Sequence, residues 1–122
     1  MPARMQKDLG PPSIFADAGA AASEYYSIAK LVPSRWQRHR LFGKALWNCN
    51  AALWENAVSD PSGLLDIRGH VKLQMFNPVG GVSDLRRTLE IRRDTGQPPG
   101  RIGESEMHLG RAYAYCRRYK KA

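Results

Sequence analysis

Reactive side chains are sparse in this 122-residue chain: two cysteines and three histidines stand among eleven carboxylates and nineteen lysines and arginines. Cys49 and Cys116 have neither the number nor the short spacing of a zinc site or a disulfide framework, so both are read as reduced, small hydrophobic residues. His39, His70 and His108 are scattered, with no paired-histidine helix motif and no mixed Cys/His cluster, which predicts no metal ligands. The phosphate-binding and nucleophile motifs GxGxxG, GxxxxGKS/T and GxSxG are all missing, and Pro78-Val79-Gly80-Gly81 is too short for a phosphate loop. The expectation is a protein with no catalytic residues, one that binds rather than reacts.

Charge says what it would bind. The formal net charge is +8, and 13 of the 19 cations are arginines, whose planar fork suits bidentate pairing with carboxylate or phosphate. Acidic partners follow: nucleic acid, anionic lipid or an acidic protein. The hydrophobic share of 43% and charged share of 25% are those of an ordinary small globular protein. No apolar run approaches the roughly 20 residues of a membrane-spanning helix, so no transmembrane segment is expected. Residues 1–7 carry Arg4 and Lys7 before the first acid, Asp8, which suits either a weak organelle-targeting signal or a plain tail.

The elements that must position these residues read as helical throughout. Gly10-Pro11-Pro12 sets off residues 1–14 as an extended arm, since consecutive prolines cannot enter a helix interior. An alanine-rich first helix runs from about Phe15 to Val32, with Tyr25, Ile28, Ala29 and Val32 at helical spacing, and Pro33 stops it. Ser34 caps a second, to about Ala57, whose apolar stripe is Trp36, Leu41, Ala45, Leu46, Cys49, Ala52 and Leu53. Asp60-Pro61 starts a third, carrying Leu64, Leu65, Ile67, Val71 and Met75, until Asn77-Pro78-Val79-Gly80-Gly81 breaks it. Ser83 can cap a shorter fourth segment, with Arg86, Arg87, Arg92 and Arg93 facing solvent or a partner. A loop from Gly96 to Gly103 precedes a last helix from about Ser105, which ends in Arg117-Arg118-Tyr119-Lys120-Lys121.

The first three helices resemble a known family. Tyr25-Tyr26-Ser27, opening toward Pro33, is similar to the Leu-Tyr-Arg signature on the first helix of the mitochondrial LYR-motif proteins. The segment from Leu53 through Trp54, Asn56-Ala57 and Val58-Ser59-Asp60-Pro61 to Leu64-Leu65 and Arg68-Gly69 resembles the LYR-type accessory subunit of respiratory complex I. The resemblance covers roughly residues 20 to 72. It departs from the signature at Ser27, where the family has arginine, and at Tyr25, where it has leucine.

The resemblance implies an all-α fold: a three-helix antiparallel LYR-type domain over residues 15–78, followed by a basic C-terminal extension over residues 79–122. It further implies a non-catalytic accessory subunit on the matrix side of the mitochondrial inner membrane, bound to the mitochondrial acyl carrier protein and to neighbouring complex I subunits. The acyl-phosphopantetheine would be carried by that partner, with no cofactor of the chain's own. Tyr26 and Trp54 are then expected at the acyl groove, Tyr25 of the signature among the carrier-binding residues, and Lys30, Arg38, Arg40, Lys44 and Arg68 on the basic face that meets the carrier, Lys30 standing in for the cation lost at Ser27. A transient LYR-type assembly factor is a variant of the same reading. A rival comes from the C-terminal block of Arg111, Arg117, Arg118, Lys120 and Lys121 interleaved with Tyr113, Tyr115 and Tyr119, which suits a small ribosomal or ribonucleoprotein subunit gripping phosphates.

Overall fold

A computed structural model describes residues 17–54 and 60–121, in five helices and, among those residues, no strand. The chain divides between residues 59 and 60 into two compact units. The 1–14 arm, the Asn56–Ser59 part of the family-like segment and the end of the second helix at Ala57 lie outside the described residues.

The first unit contains a helical hairpin. Helix α1, Ala18–Leu31, starts at Asp17, whose side chain accepts a hydrogen bond from the Ala20 N–H at 2.8 Å. It stops where Val32, forced out of helical geometry by Pro33, turns extended. Helix α2, Arg35–Trp54, takes its cap from Ser34, whose Oγ accepts from the Gln37 N–H at 3.3 Å. Ala21, Ala22, Tyr25 and Ala29 of α1 and Phe42, Ala45, Asn48, Cys49 and Ala52 of α2 are the buried positions. Most are small, which lets two helix backbones approach closely around one ring from each. The apolar stripe expected on α2 is shifted: Phe42 is buried, whereas Trp36 is largely exposed.

The second unit holds α3 (Ser62–Gln74), α4 (Pro78–Asp94) and α5 (Pro99–Lys121), with α4 packed against both others. Asp60 accepts from the Ser62 N–H at 3.0 Å, so Asp60-Pro61 does initiate α3. Gly69 and Gly81 explain how closely α3 and α4 meet. A methyl group on Gly81 would stand 2.9 Å from the Gly69 carbonyl oxygen, and one on Gly69 would stand 3.1 Å from that of Gly81.

Two boundaries differ from the sequence expectation. Pro78 to Gly81 do not break a helix but begin one: Asn77 caps α4 by accepting from the Gly80 N–H, and Pro78 occupies the first turn, where a missing N–H is harmless. No separate cap at Ser83 is needed. The loop after α4 is likewise shorter than expected. Gly96, at φ 65°, ends α4 with hydrogen bonds from the Gly96 and Gln97 N–H groups back to Arg93 and Arg92, and α5 starts at Pro99 rather than near Ser105.

The core of this unit is half polar. Leu64, Leu65, Val71, Leu85, Leu89 and Ala112 are joined by Ser62, Asp84, Thr88, Arg92 and Ser105. Arg92, expected to face solvent, is 2% exposed and donates to Ser105 Oγ at 2.6 Å. Thr88 donates back to the Asp84 carbonyl at 2.9 Å. Among the described residues no helix is long and apolar enough to cross a membrane.

Candidate functional site

The hairpin brings together most of the residues expected at a partner-binding face. Tyr25 is buried in the hairpin, which pushes its hydroxyl above the usual phenol range, and the Lys44 ammonium lies 5.5 Å from the centre of its ring. Tyr26, one position on, faces the Phe42 ring at 6.1 Å between centroids, and Lys30 stands 4.6 Å over its face. This is i, i+4 geometry on α1, which stacks Lys30 one turn above Tyr26. Arg40 lies 5.7 Å from the centre of the Trp36 ring on α2. Each of these cations is therefore positioned by an aromatic face, a contact that orients the charge without neutralising it.

Other expected members behave differently. Arg38 folds back on the interhelical turn, donating to the carbonyls of Val32 at 3.4 Å and Pro33 at 3.2 Å. Trp54 stands at the end of α2 and is 88% exposed. Arg68 belongs to α3 in the second unit and is occupied there: its Nε and Nη2 reach the two oxygens of Asp84, each at 2.8 Å, and Lys72 approaches the same carboxylate at 3.0 Å. That fork holds α3 to α4, so Arg68 acts as an internal clamp rather than part of an open basic face.

The C-terminal helix presents a separate basic and aromatic surface. Gly110, Tyr113, Ala114, Arg117 and Arg118 line a shallow recess on α5. Tyr113 is fixed from α4, since Arg86 donates to its hydroxyl at 2.7 Å while its guanidinium lies over the ring.

The histidines that look scattered in the sequence are not scattered in space. His70 Nε2 and His108 Nδ1 lie 3.2 Å apart, and Asp66 Oδ1 stands 3.6 Å from the first and 3.4 Å from the second. Asp66 and His70 are one turn apart on α3, and His108 comes from α5. Burial pushes the Asp66 carboxyl up, but hydrogen bonds and charge from His70 and His108 outweigh that and hold it below the ordinary carboxylate value. The i, i+4 pair follows from helix geometry, while the third member, thirty-eight residues from His70, follows only from how α5 packs.

Cys49 is fully buried and Cys116 half-buried, and neither is in a disulfide. Compared with protein-family models, curated proteins and solved structures, the chain finds no match.

Proposed function

We propose that the chain is a non-catalytic LYR-type accessory subunit of mitochondrial respiratory complex I, on the matrix side of the inner membrane, that holds the acyl carrier protein and supports assembly and stability. In this reading α1, α2 and α3 are the three LYR helices. The observation that carries it is the arrangement on the α1–α2 hairpin: the two tyrosines of the signature-like tripeptide sit with Lys30 and Lys44 on their ring faces, and Arg40 is stacked on Trp36. Within residues 17–54 five lysines and arginines face two acids, so the hairpin is net cationic and suits an acidic helix. Exposed Ile28, Leu31, Trp36 and Trp54 add apolar surface beside those charges. An acyl chain buried there would contribute roughly 0.8 kcal/mol per CH₂, with the cations setting register.

The test is native mass spectrometry of the protein purified from its own source, followed by charge reversal. An acidic partner carrying phosphopantetheine and a fatty acyl group is expected, and Arg40→Glu combined with Lys44→Glu removes it while the helical content is kept. Co-purifying nucleic acid with no carrier overturns the proposal. It would favour a second reading, in which Tyr113, Arg117 and Arg118 around the α5 recess grip phosphates, with affinity falling steeply as salt rises.

A further inference from the structure

We propose that Asp66, His70 and His108 form a binding site for a divalent transition-metal ion of the zinc class, holding α3 to α5 within the second unit. The site is independent of the carrier-binding reading and uses none of its residues. Its three donor atoms, Asp66 Oδ1, His70 Nε2 and His108 Nδ1, form a triangle with edges of 3.2, 3.4 and 3.6 Å.

The two edges to the carboxylate, 3.4 and 3.6 Å, are longer than the about 2.7–3.2 Å of a well-formed N–H···O bond. A cation at the centre would meet one carboxylate oxygen and two imidazole nitrogens, a donor set that suits a borderline-soft divalent ion.

The dimensions lie nearer to a tetrahedral than to an octahedral arrangement. Tetrahedral zinc, with bonds to nitrogen and carboxylate oxygen of about 2.0–2.1 Å, places neighbouring ligands about 3.3–3.4 Å apart, a spacing that the edges of 3.2, 3.4 and 3.6 Å bracket. An octahedral ion with bonds of about 2.1 Å would draw its ligands to about 3.0 Å, closer than any edge here. Two imidazoles also disfavour magnesium and calcium, which select oxygen. The three side chains retain about a fifth of their surface, at 23% for His70 and 17% each for Asp66 and His108, which leaves a path for entry and a fourth position for water or a small anion.

The two imidazoles meet edge to face, with centroids 4.5 Å apart and planes at 83°. The donors come from α3 and α5, which are both packed against α4.

The experiment uses the full chain, stripped with a chelator, desalted, and titrated with Zn²⁺ by calorimetry and with Co²⁺ by visible absorption. One ion per chain is expected, with the strong absorption of a tetrahedral Co²⁺ centre. Asp66→Asn, His70→Gln and His108→Gln should each weaken Zn²⁺ binding by more than the about 10–100-fold that loss of an outer-shell partner costs. His39→Gln, in the first unit, should leave it unchanged. Absence of Zn²⁺ binding to the unsubstituted chain overturns the proposal, as does binding that His39→Gln weakens as much as His108→Gln. If the ligand variants lose their helical signal, the cobalt spectrum of the unsubstituted chain decides: a weak, six-coordinate spectrum overturns the site.

Discussion

Removing the Asp84 carboxylate should destabilise the second unit far more than loss of a surface charge. Arg68 approaches it with two N–H donors at 2.8 Å and Lys72 with its ammonium at 3.0 Å, while the Asp84 side chain is only 7% exposed. Breaking a fully buried pair by deleting one partner costs about 3–5 kcal/mol, mostly because a charge is left without its counterion. Here the two abandoned cations keep 22–23% of their side-chain surface, so they recover part of their hydration, and the figure falls to about 2–3 kcal/mol for Asp84→Ala. With a urea m-value of about 1–3 kcal/mol/M, the midpoint should drop by about 0.7–3 M at unchanged slope. Arg68→Ala should cost about 1–2 kcal/mol, since Lys72 remains to pair with Asp84. The double variant should fall short of the sum by about 1–2 kcal/mol. A loss for Asp84→Ala below about 0.5 kcal/mol, the size of an exposed pair, would refute the clamp and return Arg68 to the pool of cations open to a partner.

Glycines at the α3–α4 crossing and in α2 should respond with opposite sign. Gly81→Ala would press its methyl group to 2.7 Å from Leu73 Cγ and 2.9 Å from a backbone oxygen, costing about 1–2 kcal/mol after the gain in helix propensity. Gly43→Ala, with nothing within 4 Å, should stabilise by about 0.5–1 kcal/mol; thermal unfolding reads both at about 4–8 °C per kcal/mol. Acid should weaken the start of α3. Hydrogen bonds from Ser62, reinforced by Gln97 and the charge of Arg92 against a small burial effect, hold the Asp60 carboxyl below its ordinary value. A depressed folded-state value means stability that is present above the unfolded value of about 3.9 and lost as pH falls through the folded one. Urea titrations below about pH 4 should therefore show a shallower acid loss for Asp60→Asn than for the unsubstituted chain, and equal slopes would remove Asp60 from the acid response.

The parts of the fold that local chemistry controls were legible in the sequence. Pro33 stops α1, Ser34 caps α2 and Asp60 initiates α3, each through one side chain or one missing N–H acting within four residues. The same signals misled where they have two meanings. Proline and glycine after a helix can close it or open the next one, and at 78–81 the deciding group was the Asn77 side chain before them. Gly81 is there for a tertiary reason, the carbonyl of Gly69, which no local propensity encodes. Polarity misled in the same way on α4. Gly81, Asp84, Leu85, Thr88, Leu89 and Arg92 share one buried face at regular helical spacing, but half of that face is polar, so a search for apolar periodicity assigns Arg92 to solvent.

The chemistry divides along the same line between local and distant contacts. Tyr26 and Lys30 are one turn apart, and their contact follows from helix geometry once α1 is recognised. Asp66 and His70 share that spacing, so their contact too follows from helix geometry once α3 is recognised, although the sequence alone reads His70 as isolated. What turns an unremarkable acid–histidine pair into a candidate metal site is His108, and its arrival depends on α5 packing against α4 from Pro99 onward rather than starting near Ser105. With the helix start placed six residues late, His108 falls within the first turn, where its direction is least determined. With the observed start it lies more than two turns in, on a stretch whose Ser105 and Ala112 are buried and whose rotation is thereby set. A site assembled from two helices is thus only as legible as the least certain helix boundary among them.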